Sequence, residues 1–353
     1  MLVRSIRLND FRNYSRAYFE FDPHLNIITG KNGSGKTNIL ESILFVSNTK
    51  SFRTSDDRDL IRKDCDFSRI LLTSDQNEFK VVISKKNKSL YIDDVLISRT
   101  SQFIGKLNAI LFKPDDLELF HQSPSLRRRL LDIEISKVSR NYMQALLKYN
   151  SLLKDKNQLL KQLETDAILL NVINESMVPL IKIIIEEREK FFTMINHSIS
   201  DLYTRISGKD TRIEIVYKKC CEPSVILSQI EASREKDDYY HYTTFGPHHD
   251  DYYFKMGDYE LNSIASQGQK RMALIAFKFA LIIYIEVNTG KTPVVLLDDI
   301  LSELDKENQE RLLRMIPENT QVIITHTDMD HLNITSRYKQ IELKEEENVE
   351  YQH

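Results

Sequence analysis

The sequence predicts an α/β protein, in which a mixed sheet with flanking helices is interrupted by an inserted helical arm. Three observations lead to this prediction. A Gly-rich segment at residues 30–37 lies between a predicted strand and a predicted helix. The apolar run at residues 293–297 ends in two carboxylates, a pattern typical of a buried strand in a parallel sheet. Between them, apolar residues recur at spacings of three and four over two long stretches, which indicates a pair of packed helices.

The order of predicted elements supports this division of the chain. Strands are predicted at residues 2–8, 16–21, 24–29, 69–73, 79–84, 89–92, 95–97, 212–217 and 321–325. Helices are predicted at residues 36–48, 126–163, 177–202 and 272–287, with Pro179 starting or kinking the third of them. We therefore predict a head segment at residues 1–114, a helical arm domain at 115–207 and a second head segment at 208–353.

Composition excludes a uniformly basic nucleic-acid coat. The chain has 353 residues and a formal net charge of −3, so any DNA binding must come from local basic patches. Three cysteines without metal spacing fit reduced thiols, and the N-terminus does not resemble a signal peptide, so we expect a cytoplasmic protein. The apolar stretch 273–287 contains Lys278 and is short for a bilayer, so we predict a buried helix and no membrane partner.

The Gly-rich segment matches the P-loop pattern in full. Its residues are Gly30, Lys31, Asn32, Gly33, Ser34, Gly35, Lys36 and Thr37. Glycines let the backbone wrap a phosphate, so that amide hydrogens and the helix N-terminus face the anion. Lys36 can then reach the β- and γ-phosphates of a nucleotide, and the Thr37 hydroxyl can bind Mg²⁺.

Two carboxylates follow the apolar strand at residues 293–297. Asp298, at the carboxyl end of the strand, is predicted to hold Mg²⁺ directly or through water. Asp299 is predicted to orient and deprotonate an attacking water. Gln321–Thr325 is another apolar strand, and His326 at its end is a candidate sensor of the γ-phosphate.

A second anion site is predicted where the helix at 272–287 begins. The segment contains Ser266, Gln267, Gly268 and Gln269, and a Ser and a Gly at a helix N-terminus can face an anion. An ordinary N-capped helix remains the alternative. The segment lies one helix upstream of the Asp298 strand, which is the order of motifs in ABC ATPases.

The order of these motifs, with Asn32, Asn38 and Glu41 around the P-loop, resembles the SMC/RecF group. Over nearly the whole chain the sequence is similar to the RecF family, at residues 112–117, 127–129, 246–251, 266–271 and 298–305. Residues 51–54 resemble the arginine-bearing loop of SMC-like heads. The resemblance implies an ABC-type ATPase head with a helical arm, and ATP and Mg²⁺ as ligands. It implies nucleotide binding by Gly30, Lys31, Asn32, Gly33, Ser34, Gly35, Lys36, Thr37, Asn38, Arg53, Ser266, Gln267, Gly268 and Gln269. It also implies catalytic roles for Lys36, Asp299 and His326, and metal binding by Thr37 and Asp298.

The same resemblance implies a function in recombinational repair. RecF-like proteins form homodimers on ATP, bind duplex DNA and single-strand/double-strand junctions, and work with RecR and RecO to load RecA. Asp299 stands where the wider ABC class has glutamate, so we expect slow ATP hydrolysis. The resemblance implies that DNA stimulates it. His249 stands where RecF has arginine, and no role is assigned to it. The glutamine of the ABC Q-loop has no clear counterpart.

Two other functions stay open at this point. One is an ABC-type ATPase subunit of a non-DNA system, and the other is an ATP-gated scaffold that barely hydrolyses. The candidate DNA contacts also have alternatives. Lys85, Lys86 and Lys88 form either a phosphate-binding or a solvated turn, and the arginines at 127–129 face DNA, nucleotide or an internal carboxylate.

Overall fold

The computed structural model describes residues 1–121, 123–162, 166–327 and 337–343. The strands are β1 (Val3–Phe11), β2 (Tyr14–Glu20), β3 (Leu25–Thr29), β4 (Phe67–Ser74), β5 (Glu78–Ser84), β6 (Lys88–Ile92), β7 (Val95–Leu96), β8 (Ala109–Phe112), β9 (Ile213–Lys218), β10 (Asp251–Met256), β11 (Tyr259–Glu260), β12 (Val294–Asp298), β13 (Val322–His326) and β14 (Tyr338–Glu342). The α-helices are α1 (Lys36–Asn48), α2 (Pro124–Ser136), α3 (Arg140–Leu159), α4 (Ala167–Ser207), α5 (Ile226–Ala232), α6 (Arg234–Tyr240), α7 (Leu261–Ile264), α8 (Gln267–Thr289) and α9 (Lys306–Met315).

A parallel sheet positions the P-loop and the carboxylates. Its strand order is β14-β3-β13-β12-β8, and each neighbouring pair is parallel. Every residue of β8, β12 and β13 is buried, as expected for a sheet covered on both faces. Because all strands point the same way, the segments that follow β3, β12 and β13 meet at one edge of the sheet. The predicted strands that end at Thr29, Asp298 and Thr325 are confirmed.

An antiparallel sheet of order β2-β1-β4-β5-β6-β7 lies in the same unit. Alternate residues of β4 and β5 are buried, because one face of the sheet covers the core. That core is shared with α1 and parts of the parallel sheet, through residues such as Ile6, Ile43 and Leu296. The predicted hairpin strands between residues 69 and 97 are confirmed.

The chain divides into two compact units. The first contains 1–116, 205–208 and 274–353, and the second contains 117–204 and 209–273. This grouping differs from the predicted return to the head at residue 208, since the stretch after it belongs with the helices. The reason lies in β9, which pairs with β10 and β11 in a separate three-stranded sheet. Asn196 of α4 also bonds the backbone of Ile215 in β9, donating to its carbonyl at 2.8 Å and accepting from its N–H at 2.7 Å.

The helical stretches differ from the prediction in two places. The helix predicted at 126–163 is two helices, α2 and α3, because Ser139 caps α3 by accepting a hydrogen bond from the Tyr142 N–H at 3.1 Å. Its predicted end at residue 163 lies outside the described residues. Helix α4 begins at Ala167, so Pro179 lies within the helix and does not start it.

Within the described residues, two helices are long and apolar enough to cross a bilayer by length and composition alone. In α8, 72% of the most apolar window is buried, which fits the predicted core helix. In α4 the corresponding share is 33%.

Candidate functional site

The P-loop joins β3 to α1 with a backbone that requires glycine. Gly30, Gly33 and Gly35 all have positive φ angles, of 156°, 85° and 103°. A Cβ atom on Gly35 would lie 2.6 Å from the hydroxyl oxygen of Tyr14, so no larger residue fits there without displacing that ring. The loop therefore has the conformation in which successive amides can surround an anion.

Lys36 holds its ammonium group within this loop. Its Nζ donates to the carbonyl oxygen of Gly30 and, at 2.9 Å, to that of Lys31. Burial lowers the pKa of Lys36, while the charges of Asp299 and Asp298 act in the opposite direction. The Ser34 hydroxyl nearby is buried and has no hydrogen-bond partner among the residues that the structure describes. A cation and an unsatisfied hydroxyl in one glycine-lined loop fit a phosphate group.

Asp298 forms an oxygen-rich cluster at the end of β12. Its Oδ1 accepts hydrogen bonds from the hydroxyls of Thr37, at 2.9 Å, and Thr325, at 2.8 Å. Burial raises the pKa of Asp298, and the two hydroxyl bonds lower it in part. A carboxylate beside a P-loop hydroxyl is the oxygen donor set that suits Mg²⁺. Thr325 was missed in the sequence, although it stands directly before the predicted sensor His326.

Asp299 is held in an unusual backbone conformation next to that cluster. Its φ is 50°, in the left-handed region that few residues other than glycine adopt. Its N–H donates to the Thr325 hydroxyl at 3.1 Å, and its Oδ1 is buried without a hydrogen-bond partner in the described part of the chain. A strained residue with an unsatisfied carboxylate oxygen fits a group that binds a water or substrate.

His326 is buried at the end of β13, in register with Thr29 at the end of β3. The order β3-β13-β12 therefore places this histidine between the strand that enters the P-loop and the strand that ends in the carboxylates. The structure thus brings the predicted residues of the first unit to one edge of the parallel sheet.

A buried carboxylate on α1 connects the P-loop helix to two arginines. Glu41, 0% exposed, accepts two bonds from Arg12, at 2.9 and 2.6 Å, and one from Ser51 at 2.5 Å. Arg53, a predicted nucleotide contact, reaches Glu41 at 3.4 Å and donates to the side chain of Asn38 at 2.7 Å. Arg12 was not predicted, because nothing in its spacing connects it to the P-loop.

The predicted second anion site belongs to the other compact unit. The Ser266 hydroxyl accepts from the Gln269 N–H at 3.3 Å, and the Gln269 side chain accepts from the Ser266 N–H at 2.9 Å. This reciprocal capping box confirms the N-capped helix. Ser266, Gln267 and Gly268 are exposed, and a Cβ on Gly268 would meet no atom within 4 Å. Anion binding at this helix end stays a prediction.

Most of the basic residues singled out in the sequence have internal partners. Lys85 pairs with Asp66 at 2.8 Å, and Lys88 pairs with Asp57 at 2.7 Å. In the second unit Arg127 makes two bonds to Asp251, at 2.7 and 2.6 Å. These contacts favour the structural alternatives over DNA contact.

The neighbouring histidines of the second unit also have partners within the chain, although His249 itself is exposed. The His249 ring lies 4.1 Å from that of His248 and bonds the Thr243 carbonyl at 3.2 Å.

Comparison with known proteins agrees with this geometry. The RecF/RecN/SMC N terminal domain matches residues 2–350. The DNA replication and repair protein RecF of Lachnospira eligens is 36% identical, over 96% of this chain and 97% of that protein. The protein of the same name from Lactobacillus delbrueckii subsp. bulgaricus is 35% identical, over 94% of this chain and 92% of that protein.

Solved structures give the same result for the fold. The structure of the recombination mediator protein RecF-ATP in the RecFOR pathway matches with a TM-score of 0.87 and 29% identity, over 94% of this chain and 93% of that chain. The Smc head bound to the C-winged helix domain of ScpA matches with a TM-score of 0.53 and 18% identity, over 93% and 90% of the two chains. The predicted fold class, a mixed α/β ATPase head with added helices, is confirmed.

Proposed function

The chain belongs to the RecF/RecN/SMC family, and from this membership we propose that it is an ATP-dependent DNA-binding mediator of recombinational repair and replication. The observation that carries the proposal is the convergence of Lys36, Asp298 and His326 at one edge of the parallel sheet. Relatives that match nearly the whole chain are named for DNA replication and repair, and one solved relative is titled as an ATP form in the RecFOR pathway.

ATP binding is assigned to the P-loop and its surroundings. The amides of residues 30–37 and the ammonium of Lys36 would hold the phosphates, with Arg53 and Asn38 beside them. The Thr37 hydroxyl and Asp298 would hold Mg²⁺, which supplies neutralisation of phosphate charge when it is bound. Asp298 can serve as a metal ligand only when it is ionised, and burial raises its pKa. Metal binding therefore favours loss of the Asp298 proton, and loss of the proton favours metal binding.

Hydrolysis is assigned to Asp299 and His326. The unsatisfied Oδ1 of Asp299 would accept a proton from an attacking water and orient that water. His326, at the end of the neighbouring strand, would contact the terminal phosphate. Aspartate is shorter than the glutamate of the wider ABC class, so we propose slow hydrolysis. Stimulation by DNA is proposed from the family membership alone.

Homodimer formation on ATP is part of the same proposal. Ser266 and Gly268 lie at an exposed helix N-terminus, where a second chain can present a phosphate to them. Two chains related by a two-fold axis would then share two ATP sites, each built from one P-loop and the partner's helix end. We further propose duplex DNA and single-strand/double-strand junctions as the substrate, RecR, RecO and RecA as partners, and a cytoplasmic location.

One experiment tests the proposal. ATPase rate and sedimentation are measured with and without duplex DNA. We expect ATP to produce a dimer, duplex DNA to raise a low turnover, and ADP to support neither. ATP hydrolysis by a monomer that is indifferent to DNA would contradict the proposal. A single-turnover rate of zero with normal DNA retention would favour an ATP-gated scaffold.

A further inference from the structure

The outer face of the antiparallel sheet carries basic side chains from strands that are distant in sequence. Strand pairing aligns Tyr18, Arg7, Leu71, Lys80 and Tyr91 in one row across five strands, from β2 to β6. The next row aligns Arg16, Asn9, Arg69, Val82 and Ser89 across the same strands. We call the part of this surface that is formed by Arg7, Arg16, Arg69 and Tyr18 the arginine face.

The three arginines of this face are close together. Arg16 and Arg69 both oppose Asn9, on its two sides, so their Cα atoms are about 10 Å apart at the usual strand spacing. Arg7 lies two residues from Asn9 on β1, about 8 Å from each of the other two. All three side chains belong to exposed residues, so their guanidinium groups can reach a common ligand.

No carboxylate neutralises these arginines within the part of the chain that the structure describes. Lys80, on the same face of the sheet, is paired with Asp94 at 2.5 Å. The row on the other side of Arg7 from Asn9 contains two acidic residues, Glu20 and Glu78. Glu20 accepts a hydrogen bond from the Tyr18 hydroxyl at 2.8 Å. That bond fixes the Tyr18 ring, over which the Arg7 guanidinium lies at 5.5 Å.

Clustering like charges on one face of a sheet costs stability unless an anion offsets the repulsion. In the basic clusters that are contiguous in sequence, Lys85, Lys88 and Arg127 pair with carboxylates, whereas the described residues provide no such partner to the three arginines of this face. We propose that the arginine face contacts the phosphate backbone of duplex DNA. This inference rests on the proposed function, and it assigns that function a surface separate from the nucleotide site.

The chemistry of the face favours phosphate over an acidic protein segment. A planar guanidinium matches two phosphate oxygens, and duplex DNA carries one charge per about 1.7 Å of helix axis, dense enough to engage all three groups. The remaining members of the second row are Asn9, Val82 and Ser89, none of which carries a charge. Contacts of this kind position a protein on DNA without reading its sequence.

The test is the triple variant Arg7→Gln, Arg16→Gln and Arg69→Gln, compared with Arg314→Gln. Arg314 is 80% exposed on α9 of the same unit, so it controls for the loss of one surface arginine charge. Binding of a labelled duplex of mixed sequence is measured with ATP at several salt concentrations. If each arginine contacts one phosphate, the slope of log affinity against log salt falls by about 2.7 per protomer in the triple variant. The affinity gap between wild type and variant then shrinks by about 40-fold between 50 and 200 mM salt.

The outcomes separate this inference from the function on which it rests. We expect the triple variant to keep ATP-dependent dimerisation, measured by sedimentation, and to lose duplex binding and the salt slope. If wild type binds duplex and the triple variant has the same affinity and salt slope, the inference is overturned but the proposed function is not. If the triple variant lost binding to poly-glutamate but kept duplex binding, the face would be assigned to an acidic protein, and the inference would also be overturned. A wild type that binds no duplex with ATP would refute both.

Discussion

Replacing Glu41 by glutamine removes a single charge from the interior of the P-loop helix while almost preserving the shape of the side chain. The carboxylate is fully buried and accepts the two-pronged bond from Arg12. An amide can accept only one of those bonds and turns its NH₂ group toward the other nitrogen of Arg12. Arg12 would then keep its charge without a counter-ion.

The magnitude follows from burial. Removing one partner of a buried ion pair costs roughly 3–5 kcal/mol when the remaining charge is fully desolvated. The Arg12 side chain is 17% exposed and that of Arg53 is 44% exposed, so water compensates part of the loss. We therefore expect Glu41→Gln to destabilise the unit by about 2–3 kcal/mol. For a unit of this size the thermal midpoint should fall by about 5–10 °C.

Thermal unfolding followed by circular dichroism measures this effect, with Glu307→Gln as the matched control. Glu307 pairs with Arg311 at 2.5 Å on the surface of α9 and is 75% exposed, so the same change should cost under about 0.5 kcal/mol. Equal midpoints for the two variants would refute the argument that the Glu41 cluster supports the P-loop helix. We also expect Glu41→Gln to weaken ATP binding, because Arg53 loses one of its two anchors.

Three further predictions follow from the same geometry. Lys36→Ala should abolish ATP-dependent dimerisation and DNA retention without altering the circular dichroism spectrum, and DNA retention equal to wild type would contradict its role. Asp299→Asn should slow hydrolysis while ATP binding persists, so that sedimentation finds more dimer; turnover equal to or faster than wild type would exclude Asp299 as the base. Burial lowers the pKa of His248 from 6.5 to about 4, so its contribution to stability is present above pH 6.5 and is lost as the pH falls toward 4. The total loss is about 3 kcal/mol, and denaturant unfolding of His248→Phe should lack that part of the pH dependence.

The core of the nucleotide site could be predicted because its residues follow local rules. A P-loop needs glycines and a lysine at fixed spacing, and a buried parallel strand is continuously apolar up to its terminal carboxylates. Lys36 and Asp298 could therefore be identified without tertiary information. The structure brings them to the same edge of the sheet because β3 and β12 are separated only by β13.

The features that escaped prediction depend on long-range pairing. Arg12 meets Glu41 only because the β1–β2 turn packs against α1, and the Arg16–Arg69 proximity exists only because both strands flank β1. The domain boundary at residue 208 stays a prediction, but the strand pairing that follows it could not be read from the sequence for a similar reason. The stretch from Ile213 reads as a return to the head, yet β9 pairs with β10 and bonds to Asn196 of α4. A strand pattern predicts the strand and its buried face, but not the sheet that it joins.

Two chains are proposed to share two ATP sites, and mixing two inactive variants tests this arrangement. Lys36→Ala disables the P-loop, and Ser266→Arg blocks the exposed helix end where the partner's phosphate would bind. In a one-to-one mixture with free subunit exchange, half of the dimers carry one intact site, so about a quarter of wild-type ATPase activity should return. If both sites must act together, ATP-dependent dimers should still form better than with either variant alone. With subunit exchange verified, neither recovered ATPase activity nor additional dimer would contradict the claim, because each chain would then be using its own helix end.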